Sequence, residues 1–470
     1  MARTDWMPKM KARGFFSVFG LAILTTCCAA QAAPSNVLDS KILLDPNIQS
    51  AVAAVSSQRL QATDQALVNF GSRHTLGSLL PPENHPGVLE ARRWLASQLE
   101  QIASDCKGCL EVKSYSFTDG PAPRIPQPAE LTDIYAIQKG SDPEAARRII
   151  LVCAHYDTIA MARMNDPEAP SPGANDDGSG TSLVLEAARV LSQKKFPATI
   201  LYALFPGEEQ GMFGSHGFAK LAKSEGWKLE AVLSNDIVGG DNTRNQQGLV
   251  RIFSEGLPAA SSEAETRRVR LLGAESDSPS RQLARFVASD TAPYLGTTSV
   301  HPKLVFRRDR FLRGGDHTSF NELGYSAVRI TEFQENFDHQ HQLPRKENGI
   351  EYGDLPKFVD FEYLAGVTRL NVATAALLAS APAPPADVKL QTKELVNSST
   401  LHWTASPDGR AAGYEVLYRD TTAPAWEHVI PAGAELQITV PQSKDNVVFA
   451  VRAYDAQGHR SLAVLPAPER

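Results

Sequence analysis

Residues 149–157 read Ile149-Ile150-Leu151-Val152-Cys153-Ala154-His155-Tyr156-Asp157. The first six form an unbroken apolar run, the pattern of a strand buried on both faces, and the chain turns polar only at the C-terminal end of that run. Leu183, Val184, Ala187, Ala188 and Leu191 then mark one face of a helix, and Ala198 to Phe205 forms a second apolar strand. Phe213 to Lys223 reads as a helix, Ala231, Val232 and Leu233 as strand, Ser326 to Ile330 as a late strand and Phe361 to Leu378 as a closing helix. Strands alternating with amphipathic helices predict βαβ units, hence an α/β fold whose central sheet is mainly parallel, mixed in part, and flanked by helices. Upstream, residues 40 to 70, without Pro or Gly from Ile48 to Asn69, are predicted helical. A clearer helix follows the Pro86-Gly87 boundary, with Val88, Ala91, Leu95, Leu99 and Ile102 on one face. Gly239 to about Asp277 reads as a polar excursion.

The two ends of the chain differ from this middle. Lys9, Lys11 and Arg13 precede an apolar run from Phe15 to Leu24, and Ala30-Gln31-Ala32 offers small residues for cleavage, so residues 1–32 are read as a signal peptide. The run is shorter than the ~20 residues that span a bilayer, which disfavours integral membrane association after cleavage. The expected location is secreted or periplasmic, with a lipid-modified Cys27 or Cys28 as a minor alternative and trimming of a propeptide from Ala33 to about Ile48 left open. Loss of four basic residues and one acid takes the net charge from -6 to -9. A mildly acidic chain without a Lys/Arg cluster disfavours nucleic acid as a partner. In an oxidising compartment Cys106 and Cys109 are the natural disulfide pair, leaving Cys153 as a buried thiol.

After the domain at 33–378, the Pro/Ala-rich stretch 379–386 reads as a semi-extended linker. Residues 387–470 carry short alternating segments, including Tyr414, Val416, Tyr418 and Phe449, Val451, Ala453, at the spacing of a small all-β sandwich with Trp403 in its core. Leu401-His402-Trp403, the segment 413–418 and the segment 449–453 resemble a fibronectin type III module, with Phe449 where that fold usually carries a tyrosine. The sandwich is a candidate for contact with a surface or polymer.

Polar elements follow the strands. His155-Tyr156-Asp157, Glu208-Glu209 and Asp236 lie just past strand C-termini, where open parallel sheets place their ligands. Two further elements sit in glycine-flanked loops, Gly173-Ala174-Asn175-Asp176-Asp177-Gly178 and Gly314-Gly315-Asp316-His317. Singly each has a bland reading: Glu208-Glu209 as an acidic helix start, Asp176-Asp177 as an N-cap cluster. Five on one rim of a sheet invite a metal.

In this order and setting the elements resemble the M28 family of zinc peptidases, over roughly residues 65 to 380 and including Gly71-Ser72-Arg73-His74-Thr75. The resemblance implies a zinc exopeptidase fold with two Zn2+ ions, one bound by His155 and Asp236, the other by Glu209 and His317, with Asp176 bridging. It further implies a hydroxide between the ions, Glu208 as general base, Asp157 behind His155, and a cis peptide at Asp176-Asp177. Imidazole and carboxylate donors suit zinc. The implied activity is hydrolysis of N-terminal residues from peptides or proteins.

Three alternatives stay open: a carboxypeptidase-like hydrolase of this fold, a glutaminyl cyclase with one zinc, and a non-catalytic binding protein. The run Arg307, Arg308, Arg310, Arg313 is read as solvated, with contact to a substrate carboxylate as its functional reading. His216 is read as packing or surface, and His339-Gln340-His341 as lining a late loop of the cleft.

Overall fold

The computed structural model describes residues 44–84, 87–296 and 300–470. The segment 1–32, with Cys27 and Cys28, lies outside the described residues. The central sheet contains β1 (Glu111–Asp119), β2 (Ala129–Gln138), β3 (Arg148–His155), β4 (Thr199–Phe205), β5 (Lys228–Asn235), β6 (Leu249–Ser254), β7 (His301–Val305) and β8 (Ala327–Glu332), in the order β1-β2-β4-β3-β5-β8-β6-β7. Strands β4, β3, β5 and β8 run parallel. The β1–β2 hairpin joins β4 antiparallel, and β6 pairs antiparallel with β8. The fold is a mixed α/β fold with a parallel centre, and every C-terminal end of that centre opens on one rim.

Alternation along β3 sorts its side chains between two cores. Ile150 and Val152 face the helices Gly180–Leu191 and Phe361–Ser380, whereas Leu151 and Cys153 face Phe218 and Ala219 of the helix Phe213–Ser224. All of these are buried, each large aliphatic contributing about 1.5–3 kcal/mol. The disulfide Cys106–Cys109 follows the helix Gly87–Asp105, and Cys153 is a free, buried thiol.

The stretch 40–70 predicted helical holds, in its described part, two helices, Pro46–Ala53 and Ser57–Asn69. No Pro or Gly breaks them. Ser56 adopts an extended conformation, its side chain accepts from the Arg59 amide (3.3 Å), and its own amide donates to Glu186 Oε1 (2.8 Å), so capping and a tertiary bond replace one helical turn. Ile48, within the stretch considered for trimming, is a buried core residue. The excursion 239–277 holds strand β6 and the helix Glu263–Leu271.

A hairpin of β9 (Arg345–Glu347) and β10 (Ile350–Tyr352) precedes the closing helix. Beyond that helix come β11 (Ala386–Gln391), β12 (Ser399–Thr404), β13 (Gly413–Asp420), β14 (His428–Gly433), β15 (Gln437–Val440), β16 (Val447–Tyr454) and β17 (Ala467–Glu469). They form two sheets, β15-β12-β11-β17 and β14-β13-β16, packed around Leu401, Trp403, Val416, Phe449 and Val451.

Beyond Ser380 the Pro/Ala stretch carries no helix, and it is not a free tether. The closing helix runs to Ser380, and Ala381 and Ala383 are buried. Arg410 donates to the carbonyls of Ser380 and Ala381 (both 2.8 Å), Arg148 donates to Ala381 (2.5 Å), and the Ala383 amide donates to Asp408 (2.8 Å). These bonds satisfy backbone groups that an extended segment would otherwise leave to water. A second contact joins the helix Pro279–Ser289 to the sandwich: Asp277 accepts from Arg285 (2.8 Å) and from both Arg419 contacts (2.7 and 2.8 Å), all three side chains being buried. The guanidiniums of Arg285 and Arg419 each lie 5.6 Å from the Trp426 ring.

Candidate metal centre

His155 ends β3, with its ring fully buried. Its Nδ1 lies 3.2 Å from the main-chain oxygen of Asp157 and 3.4 Å from Asp157 Oδ1. A carbonyl can only accept, so Nδ1 carries a proton and Nε2 is the nitrogen presented to the rim. Nε2 lies 3.3 Å from Asp176 Oδ1 and 3.9 Å from Asp236 Oδ1, yet makes no hydrogen bond. Burial alone would lower the pKa of this imidazole. The carboxylates of Asp157, Asp176 and Asp236 outweigh that and raise it well above its ordinary value, so this point in the structure attracts positive charge.

Asp157 does more than face His155. Its Oδ1 accepts from the Glu208 amide (3.2 Å), and its Oδ2 accepts from the Glu209 amide (3.3 Å) and from Thr75 Oγ1 (3.1 Å). One carboxylate thus fixes the first turn of Glu208–Gly211, which the chain enters through Gly207 at φ 73°. The loop carrying Asp176 is held as firmly. Gly173 has φ 56°, and a Cβ there would lie 2.1 Å from Thr158 Cγ2, so only glycine fits. Asp354 accepts from the amides of Asn175 and Asp176 (both 2.7 Å), and Arg73 donates to the carbonyls of Tyr156, Pro172 and Gly173 (2.8, 2.7 and 2.8 Å). The Asp176–Asp177 peptide is cis. Asp177 turns away from the rim and accepts from the amides of His155, Gly180 and Ile237.

Asp236 follows β5, its Oδ2 paired with Arg329 Nη1 at 2.7 Å. Burial raises the pKa of this carboxyl, but Arg329 and His155 outweigh it and bring the group below its ordinary range, so Asp236 stands ionised. Glu208 faces the cleft beside Glu209, and burial drives its pKa well above the usual carboxylate range.

Among the described residues two triplets of donor atoms lie within 4.8 Å of one another: His155, Asp176 and Asp236, and Asp176, Glu209 and His341. Asp176 belongs to both. His341 Nε2 is 2.8 Å from Asp176 Oδ2 and 2.9 Å from Glu209 Oε1, and neither contact has hydrogen-bond geometry. Three buried polar atoms, His155 Nε2, Glu209 Oε1 and His341 Nε2, therefore converge without hydrogen bonds. Buried polar atoms are rarely left so, and a mixed imidazole and carboxylate set of this kind fits divalent metal ions.

The structure corrects one ligand. His317 is the first residue of the helix His317–Glu322, and it belongs to neither donor triplet. Nε2 donates to the Arg308 carbonyl (2.8 Å), Asp309 Oδ2 lies 3.9 Å away, and burial lowers the pKa to about 4, so the ring is neutral and structural. His341 occupies the place expected for it. Its neighbours tie down the loop: Gln340 donates to Asp176 Oδ2 (2.8 Å), and His339 bonds Asp241 while stacking on Phe358. The sequence signal was present in the second histidine of His339-Gln340-His341, but the Asp316-His317 pair matched the same pattern. His155, Asp157, Asp176, Glu208, Glu209 and Asp236 are brought together on the rim.

Asp176, Glu209, Asp236 and His341 of the triplets line a cleft of about 540 Å3 whose walls include Arg124, Met212, Leu312, Arg313 and Phe337. No described helix is long and apolar enough to cross a membrane.

The chain is 40% identical over 451 residues to a probable zinc metalloprotease of Pyrenophora teres f. teres (strain 0-1), covering 94% of this chain and 92% of that protein. It is 39% identical over 427 residues to a probable zinc metalloprotease of Leptosphaeria maculans, covering 90% and 97%. Its fold is similar to that of the Legionella pneumophila LapA aminopeptidase, with TM-score 0.52, 20% identity and coverage of 72% and 76%. Residues 133–351 match peptidase family M28. Sequence relatedness over nearly the whole length and the matched peptidase segment lead to one conclusion: the chain belongs to peptidase family M28.

Proposed function

We propose that the protein is a secreted aminopeptidase that uses two zinc ions to remove N-terminal residues from peptides. The observation that carries this reading is the pair of donor triplets sharing Asp176, with Glu208 beside them and outside both. His155 and Asp236 would hold one ion, Glu209 and His341 the other, and Asp176 both. Zinc in these positions would supply Lewis acidity toward the scissile carbonyl and the attacking water. Glu208 takes a proton from that water and delivers it to the leaving nitrogen, and the bond from its amide to Asp157 keeps the side chain at the rim. Asp157 holds the His155 ring so that Nε2 faces inward. Zinc is favoured by the fungal relatives, and the aminopeptidase type by the fold shared with the Legionella enzyme. The apolar segment at Phe15–Leu24 and the disulfide support secretion. Seven strands in two sheets around Trp403 support a fibronectin type III-like reading of residues 387–470.

The test is hydrolysis of aminoacyl-p-nitroanilides beside N-blocked and C-terminal substrates, before and after chelation and zinc return. Turnover confined to free-amine substrates, abolished by chelation and by Glu208→Ala, is expected. Turnover of N-blocked substrates, or none at all by protein holding two zincs, would overturn the reading.

A further inference from the structure

The arginine run at 307–313 draws attention as an anion site, but the structure commits most of it elsewhere. Arg308 bonds Glu322 and the Thr318 carbonyl, and Arg307 lies over Phe311. Arg310 pairs with Asp309 and Glu335, and Arg313, with its side chain 39% exposed, reaches Glu335 at 3.4 Å. Glu335 is shared by Arg251, Arg310 and Arg313, so the wall keeps an excess of positive charge.

A different guanidinium is better placed. Arg124 sits in the β1–β2 loop, which is pinned to the body by Ile125, fully buried against Leu76 and Ala129, and by reciprocal backbone bonds between Ala122 and Ile125. One Nη1 bond, to the main-chain oxygen of Glu209 (2.7 Å), aims the side chain into the cleft beside the donor triplets. Among the described residues no carboxylate pairs with Arg124, and the remaining N–H groups of its fork have no protein acceptor. A fixed, half-buried, uncompensated guanidinium at a cleft wall is the geometry that receives a carboxylate.

We propose that Arg124, with Arg313, binds a carboxylate of the peptide substrate and so selects short or acidic peptides. The inference rests on the peptidase reading of the cleft. The carboxylate is either the C-terminus of a short peptide or an Asp or Glu side chain next to the scissile bond.

Equilibrium binding to the zinc-loaded Glu208→Gln protein separates these sources, with Leu-Gly-Gly, Leu-Gly-Gly amide and Leu-Asp-Gly amide as probes. At least one carboxylate-bearing probe is expected to bind about tenfold tighter than Leu-Gly-Gly amide, the scale of a charge-assisted hydrogen bond. That advantage vanishes in Arg124→Gln and is partly kept in Arg124→Lys. An advantage for Leu-Gly-Gly assigns the C-terminus, and one for Leu-Asp-Gly amide the side chain. Three probes binding within twofold of one another, an advantage that survives Arg124→Gln, or an equal weakening of all three would overturn the proposal. Turnover of leucine p-nitroanilide, which has no carboxylate, by the wild-type protein reports separately on the peptidase reading.

Discussion

Replacing Arg419 with Met tests whether the sandwich and the catalytic domain melt as one body. The substitution removes two charge-assisted bonds to Asp277 and the Nη1 bonds to the carbonyls of Asp420, Thr421 and Ala423, while Arg285 keeps its own 2.8 Å bond to Asp277. Breaking a buried ion pair costs about 3–5 kcal/mol; with Arg285 still in place the low end, about 3 kcal/mol, applies. Unfolding entropy of about 2.1 cal/mol/K per residue gives roughly 0.9 kcal/mol/K for a cooperative unit of about 430 residues, and roughly 0.2 for a sandwich of about 85 residues melting alone. The same perturbation therefore lowers Tm by about 3 °C in the first case and by roughly 15 °C for a separate sandwich transition in the second. The clamped Pro/Ala stretch predicts the first. Scanning calorimetry of the full chain should show a single transition, displaced by about 3 °C in Arg419→Met and by less in Arg419→Lys. A wild-type protein that melts in two steps, or a variant with an unchanged midpoint, would refute the reasoning.

Three other outcomes follow from the site and its surroundings. On the two-zinc proposal, His341→Ala should lower bound zinc from two ions per chain to one, whereas His317→Ala should keep both and lower only Tm; elemental analysis after dialysis decides, and loss of an ion in His317→Ala would restore the ligand inferred from sequence. Asp157→Asn should weaken zinc affinity by roughly 10–100-fold, read by competition with a chromophoric chelator, because a neutral amide holds His155 and the two backbone amides less firmly; an unchanged affinity would remove Asp157 from the support of the site. His459 links the sandwich to the first described helix through Asp45 (3.1 Å) and bonds Asp455 (2.8 Å). Burial lowers its pKa, but Asp455 and Asp45 outweigh that and raise it above the ordinary value, so its contribution to stability is full below about pH 6.5 and lost as pH rises through the folded pKa. His459→Asn should flatten the fall in Tm across that window, and an identical pH profile would show that the pair does not matter.

The residues of the rim were legible in the sequence wherever the local pattern itself placed them. His155 terminates an apolar run, Asp236 lies three residues past Leu233 at the end of another, and Asp176 and Glu208-Glu209 follow glycines that let the backbone turn at the rim. His341 was not legible in this way, because it hangs on an irregular loop whose position depends on Asp241, Phe358 and Asp176, all distant in sequence. The Asp316-His317 pair satisfied the same local pattern, and only tertiary packing turned that ring toward Arg308. The antiparallel edges of the sheet escaped for a related reason. Strand β1 has alternating half-exposed residues, Val112, Tyr115 and Phe117 among them, and β6 is a short apolar run inside a polar stretch. The break at Ser56 required Glu186, 130 residues away.

The clamped Pro/Ala stretch bears on what the C-terminal sandwich can accomplish. A module on a flexible tether sweeps a volume, and the local concentration of anything it carries is set by tether length. Here the carbonyls of Ser380 and Ala381 are gripped by guanidiniums, and Arg419 and His459 add fixed points elsewhere on the sandwich. Cargo on the sandwich would meet the cleft at one bearing, with no search and no averaging over positions. Lengthening the stretch, harmless in a tether, would here pull apart its bonds to Arg148 and Arg410.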